Sequence, residues 1–486
     1  MIGVSTRADG AKNRRILDKL ILVGHSAMRN RSTIIIILLI LFILVLLSLD
    51  RGGGRRQTWE SAAGAGDSDT VKSVMLRQPM TSTTTCLPEE SRGLGILKRD
   101  QLMSKSAAEK TIGRIVPIEY STVLVIMTHE RVDHLKRTLE NVVKARKVEK
   151  FQIIVSMDSP RTFGQIRETV ASVLAQQGIE KKMNVRFYEA DVPFATKFSG
   201  VAGCTRHVGS ILRRVFETEI FEYLILLEDD LLVSEDFFEY FTKLGPLLHP
   251  KHPASEGLYC VSAWNDHAFG NVLLDESKVM RTNWYPGLGV MFHKSVWLDQ
   301  WREEWPFWDA PDWNHDQWIR YESSTRERDC IAPQVPRTHH LSSEGLHVDK
   351  FAQLRYDKMI LSSGKNGITD QSIATASDAL KTREEYLTLM KDPATITVRS
   401  VHEILKMDVN SIGTVRKRVV VVLNDVKDDN GISQTYTDDP PMSRELFSKL
   451  GIFPFYTRMF FRGLLIVETR ATTVFIVLDS MKDYWN

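Results

Sequence analysis

Glu228, Asp229 and Asp230 stand directly after the apolar run Tyr223-Leu224-Ile225-Leu226-Leu227, an arrangement that can hold a cation. Three adjacent acids repel one another and are costly to desolvate, so a divalent metal is their natural counter-charge. The run before them reads as a buried strand, and ligands in open α/β sheets bind where strands end. A solvated acidic helix start is the competing reading, because Asp and Glu favour first turns and Ser234-Glu235-Asp236 follows. Two further polar groups follow apolar runs upstream: Thr128-His129-Glu130-Arg131, and Asp158 after Met157. Downstream, Asp309, Asp312 and Asp316 lie in a stretch rich in Trp, whose aromatic side chains read as core packing.

The elements that must position these residues alternate along the chain. Strands are expected at Thr122–Met127, Phe151–Ser156, Val185–Tyr188 and Tyr223–Leu227, with helices around 132–144, 163–177 and 200–217 between them. Such alternation predicts an α/β fold with a mainly parallel sheet, helices on both faces and the polar strand ends gathered along one edge. Beyond about residue 355 the pattern weakens into a smaller α+β region, with strands at Arg418–Leu423 and Leu464–Glu468. Val474–Leu478 is too short to span a membrane and reads as an edge strand. The expected division is 1–32, 33–49, 50–115, 116–342, 343–355 and 356–486: tail, anchor, flexible stem, catalytic domain, mobile linker loop and C-terminal domain.

The anchor is Ile34–Leu47, apolar without interruption, extended by Thr33 and by Ser48-Leu49 to about the shortest span of a bilayer. Before it stand seven Lys or Arg against two Asp, which favours a cytosolic N-terminus and a type II orientation. That leaves the remaining chain near −3 out of an overall net charge of +2, without the basic field that nucleic acid requires. Arg416-Lys417-Arg418 reads as the flank of a strand. Four cysteines, Cys86, Cys204, Cys260 and Cys330, are too few for a disulfide scaffold and allow three complete pairings. The sequon Asn30-Arg31-Ser32 falls on the cytosolic side, so N-glycosylation is not expected.

In this order and spacing the blocks resemble the β-1,2-N-acetylglucosaminyltransferase I family. They are Val123-Leu124-Val125-Ile126, Ile154-Val155-Ser156-Met157-Asp158, Leu227-Glu228-Asp229-Asp230-Leu231 and Asp236-Phe237-Phe238-Glu239-Tyr240-Phe241. The series continues through Cys260–Asp266, Arg281-Thr282, Tyr285–Gly289 and Pro336-Arg337-Thr338. The resemblance is dense over about residues 120–345 and fainter to Phe461-Arg462-Gly463. It implies a GT-A fold, a UDP-GlcNAc donor, Mn²⁺, an inverting reaction, and a type II protein of the Golgi membrane with its catalytic region in the lumen.

Carried over residue by residue, the resemblance makes Asp230 the direct Mn²⁺ ligand, with the donor diphosphate supplying others. Asp229 and Glu228 would hold the ribose and the transferred sugar, and Arg131, Asp158 and His207 would contact the donor. For His207 the alternative is a solvated helix histidine. Counting back from Cys330 favours Asp316 over Asp309 and Asp312 as the base. Cys260 and Cys330 match the family's disulfide partners, whereas a second family bridge has no counterpart, its positions being His129 and Ser159. A Ser of the family's donor-covering loop falls at His347. The expected reaction moves GlcNAc to the 2-hydroxyl of a terminal mannose on an N-glycan. O-linked mannose on protein, and a binding protein without turnover, are the alternatives.

Overall fold

The computed structural model describes residues 117–486, except 184, 190–199, 220, 271, 307–313, 342–354, 399–400, 410–415, 424–440 and 453–457. All of these belong to the unit Lys98–Asn486. The expected anchor at 33–49, the stem, the linker loop, Cys86, Asp309, Asp312 and His347 lie outside the described residues. Among the described residues, no helix is long and apolar enough to cross a membrane.

Strands β1 (Thr122–Thr128), β2 (Gln152–Met157), β3 (Val185–Glu189) and β4 (Tyr223–Glu228) match the expected strands within a residue or so. The helices α1 (Val132–Val142) and α2 (Phe163–Gln176) end one or two residues short of expectation, and α3 (Gly200–Arg213) ends four short, continuing as a wider π-helical turn over Arg214–Thr218. With β6 (Leu258–Ser262), β7 (Val279–Thr282), β8 (Val290–His293) and β9 (Asp329–Pro333) they build an eight-stranded sheet of order β3-β2-β1-β4-β8-β6-β9-β7. The pairings of β1 with β2 and β4, of β2 with β3, and of β6 with β9 are parallel; β8 and β7 run against their neighbours. The expected α/β class with a mainly parallel sheet is therefore what the chain adopts.

Both faces of the sheet are covered, which is why β1 reads as an uninterrupted apolar run. Leu124 and Ile126 pack with Leu135, Leu139 and Val142 of α1 and with Ile166, Val170 and Val173 of α2. Val123 and Val125 turn the other way, onto Val208, Ile211 and Leu212 of α3 and an aromatic group containing Trp297, Trp301, Trp305 and Trp318. The order of the sheet brings the carboxyl ends of β1, β2 and β4 side by side, and the polar residues follow those ends.

A short antiparallel ribbon pairs β5 (Leu231–Val233) with β10 (Thr338–His340) and closes over the end of β4. Helix α4 (Phe237–Leu244) follows, its aromatic side chains buried. Beyond it, α5 (His315–Ile319) is a single turn.

A second sheet, in the order β11-β12-β14-β13, is formed by β11 (Thr395–Val398), β12 (Lys417–Leu423), β13 (Leu464–Glu468) and β14 (Thr472–Leu478). The apolar segment near the C-terminus, expected at an edge, is instead the inner strand β14. It pairs with β12 and β13, and all of its residues are buried. A strand covered on both faces needs side chains that are apolar throughout rather than alternating, and Val474–Leu478 has them.

Candidate active site

The β4–β5 turn carries Asp229 and Asp230, which are only 1% and 2% exposed. That rules out the solvated helix start, and α4 begins only at Phe237. Helix α1 fixes the turn from one side: Thr138 Oγ1 donates to the Asp229 carbonyl oxygen at 2.7 Å, and Asn141 Oδ1 accepts from the Val233 amide. From the other side, the Leu341 amide donates to the Asp230 carbonyl at 2.8 Å.

Arg131, the residue before α1, spreads its guanidinium across both acids. Nη2 lies 2.5 Å from Asp229 Oδ1 and Nη1 lies 2.6 Å from Asp230 Oδ2. Thr128 Oγ1 donates to the second Asp229 oxygen at 2.7 Å. Burial still pushes the Asp229 carboxyl up to about 6 despite the guanidinium. Glu228 rises further, to about 8, through burial and the nearby charges of Asp230 and Asp316. Arg131 faces two carboxylates with a single charge, and Asp230 Oδ1 is buried without a hydrogen-bond partner. An orphaned carboxylate oxygen beside a second buried carboxylate fits a divalent cation that accepts oxygen ligands. Among the described residues no three His, Cys, Asp or Glu side chains are arranged to hold a metal by themselves. His340, placed by β10, brings Nε2 to 3.6 Å from Asp230 Oδ2, a neighbour that the sequence pattern did not single out.

Asp158, at the end of β2, lies between two histidines. His129 Nδ1 is 2.6 Å from Oδ1, and His207 Nδ1 is 3.4 Å from Oδ2. The hydrogen bond to Asp158 raises the His129 imidazole, whereas burial lowers that of His207. His207 is not a solvated helix residue: it is 2% exposed, and its Nε2 meets Ser156 Oγ at 2.8 Å. Ser159 Oγ donates to Glu130 Oε1 at 2.6 Å, and Thr162 Oγ1 donates to the His129 carbonyl at 2.9 Å. The β1 and β2 ends, where the resembling family has a disulfide, are thus joined here by hydrogen bonds.

Asp316 is on α5, opened by Asn314, whose Oδ1 accepts from the Asp316 amide at 2.9 Å. Two residues on, Trp318 packs at 5.0 Å from Trp305 and 5.9 Å from Trp301, which anchors the turn in the core. The Asp316 side chain remains one-third exposed, with His315 Nε2 at 3.1 Å and Arg320 Nη2 at 3.6 Å. Burial alone would raise its pKa, but the His315 charge and hydrogen bond, with Arg320 and Arg458 beyond, hold it below the usual carboxylate range.

Gly287 faces this carboxylate and opens a run of three positive φ values: 69° at Gly287, 51° at Leu288 and 97° at Gly289. Left-handed backbone at a bulky residue is costly and persists only where its surroundings enforce it. Here Ser262 Oγ donates to the Gly287 carbonyl at 3.1 Å and Thr338 Oγ1 to the Leu288 carbonyl at 2.7 Å. Gly289 has no room for a side chain, because a Cβ would meet Thr338 Cγ2 at 2.8 Å.

Cys260 and Cys330 are register partners across β6 and β9 and are joined by a disulfide. The pairing implied by the resemblance is therefore present. Cys204 is not disulfide-bonded.

Residues 33–411 match the GNT-I family. This chain belongs to that family. An alpha-1,3-mannosyl-glycoprotein 2-beta-N-acetylglucosaminyltransferase from Arabidopsis thaliana is 25% identical to it over 251 residues. The match covers 51% of this chain and 52% of the relative, so the chain spans about half the length of the curated relative it matches. Among solved structures, a mannosyltransferase from Pyrobaculum calidifontis, in complex with GDP-Man and Mn²⁺, is similar at 12% identity and a TM-score of 0.29. The similarity covers 48% of this chain and 64% of that one. S. aureus TarS, residues 1–349, is similar at 10% identity and a TM-score of 0.31, over 50% of this chain and 67% of that one.

Proposed function

We propose that this chain is an inverting glycosyltransferase that moves GlcNAc from UDP-GlcNAc to the 2-hydroxyl of a terminal mannose on an N-glycan. Family membership supports the reaction class. The observation that carries the reading is the buried pair Asp229 and Asp230 at the end of β4, bridged by Arg131, with Asp230 Oδ1 left without a partner.

Asp230 would hold Mn²⁺ through that oxygen, and the metal supplies charge neutralisation for a departing diphosphate. Arg131 is the second positive charge beside the same carboxylates. Asp229 and Glu228 offer acceptor oxygens to ribose and sugar hydroxyls, and Asp158, steadied by His129 and His207, offers another. Asp316 takes the proton of the acceptor hydroxyl while the anomeric centre passes through an oxocarbenium-like state. His347 belongs to the donor-covering segment in this reading. The chain is a single-pass type II protein anchored through residues 33–49 in the Golgi membrane, with its catalytic region in the lumen.

Two substitutions test the assignment of roles. Asp230→Asn is expected to abolish the Mn²⁺ dependence of UDP binding measured by calorimetry. Asp316→Asn is expected to leave UDP affinity unchanged and to lower kcat by about 10²- to 10⁴-fold, the usual contribution of a general base. UDP binding that requires Mn²⁺ in Asp230→Asn would remove the metal assignment.

A further inference from the structure

We propose that His315 is a positioning residue for the Asp316 carboxylate, and that Cys204 in turn fixes the His315 ring. The inference rests on the reading of Asp316 as the acceptor-side base. Both ring nitrogens of His315 are engaged: Nε2 lies 3.1 Å from Asp316 Oδ1, and Nδ1 faces Cys204 Sγ at 3.9 Å. An ionised carboxylate only accepts, so the nitrogen facing it must carry the hydrogen. When the ring is neutral, Nδ1 can accept from the thiol. When it is protonated, Nδ1 donates towards sulfur. Both states keep Nε2–H aimed at Oδ1.

The thiol end of this chain of contacts is itself held. Cys204 lies early in α3, and the carbonyl of the next residue, Thr205, accepts from Trp305 Nε1 at 3.0 Å. Trp305 packs on Trp318, which anchors the turn carrying His315 and Asp316. The thiol and the carboxylate are thus referred to one aromatic cluster, with the imidazole spanning them.

The other Asp316 oxygen turns towards Arg320 Nη2 at 3.6 Å, so His315 and Arg320 together set the plane of the carboxylate. Gly287 leaves the remaining side open, since a Cβ there would lie 3.9 Å from both oxygens. Arg320 Nε also donates to the Tyr285 carbonyl at 3.2 Å, which ties this loop to the same group. Inverting transfer needs its base aligned opposite the leaving group, and a misplacement of about 1 Å costs roughly 10²-fold.

The test compares kcat, the KM for UDP-GlcNAc and UDP affinity in the full-length protein and its His315→Phe, His315→Gln, His315→Asn and Asp316→Asn variants. Glutamine can extend an amide N–H to the Nε2 position, whereas asparagine reaches only the Nδ1 position. The expected result for His315→Phe is a kcat about a hundredfold lower with UDP affinity unchanged. His315→Gln is expected to stay within about tenfold of the native rate, well above His315→Asn. An unchanged kcat in His315→Phe beside an inactive Asp316→Asn would overturn the inference and leave the base intact. Full activity in Asp316→Asn would remove the base and the inference with it. Should His315→Phe fail to fold, equal rates in His315→Gln and His315→Asn would overturn the inference.

Discussion

Arg131 holds two buried acids with one guanidinium, so its removal leaves Asp229 and Asp230 facing each other without a counter-charge. Breaking a buried pair from one side costs on the order of 3 kcal/mol. Arg131→Ala is therefore expected to lower stability by about that amount in a urea titration. A divalent cation can restore part of the lost neutralisation, so Mn²⁺ should raise the melting temperature more in Arg131→Ala than in the native protein. An equal rise in both would separate Arg131 from the metal site. The acidic triplet stood out as the end of a buried strand, but the tripeptide alone left a solvated helix start open, which the burial of Asp229 and Asp230 closes. Arg131 and Asp158 were legible as polar strand ends. Thr138 and His340 were not, because each reaches Asp229 or Asp230 from an element whose place depends on tertiary packing: Thr138 from the middle of a helix, His340 from a ribbon formed by residues more than a hundred positions apart.

The single turn α5 carries Asp316 and is too short to be stable by its own hydrogen bonds. What fixes it is the Asn314 cap and Trp318, packed on Trp301 and Trp305. Trp318→Ala is expected to destabilise the protein by about 3–5 kcal/mol, the usual cost of removing a large buried aromatic. It should also reduce kcat more than UDP affinity, because the hydrogen bonds that hold the acidic turn come from α1 and from Leu341 rather than from α5. A loss of UDP affinity equal to the loss of kcat would contradict that separation. The strands of the first half were readable within a residue or so, since apolar runs bounded by polar residues mark β1, β2 and β4, whereas the end of α3 was placed four residues late because a π-helical turn over Arg214–Thr218 continues it. The last strand was misplaced at an edge because an apolar run of five gives no sign of how many neighbours it has. Only the pairing of β14 with both β12 and β13 decides it.

Across the whole unit, one buried histidine ties distant parts of the chain together and makes stability depend on pH. His267 lies in the segment after β6, and its Nε2 meets the Arg458 carbonyl at 3.0 Å, close to the second sheet. Burial lowers its imidazole to about 4, so the folded protein holds the ring neutral while the unfolded chain binds a proton below about 6.5. The unfolded state then carries more protons as pH falls, and stability drops between about pH 6.5 and 4, by up to roughly 3 kcal/mol from this group. His267→Gln is expected to flatten that part of a stability profile measured by denaturation at stepped pH, and an unaltered slope would assign the acid sensitivity elsewhere. If the strand-end acids and Asp316 act together in transfer, the full-length protein incubated with UDP-GlcNAc, Mn²⁺ and a five-mannose N-glycan, with the linkage of the product followed, will show it. Transfer of one GlcNAc in β-1,2 linkage, abolished by chelation and by Asp316→Asn, is the predicted result. UDP binding with no transfer, or transfer confined to O-mannosyl peptide, would contradict it.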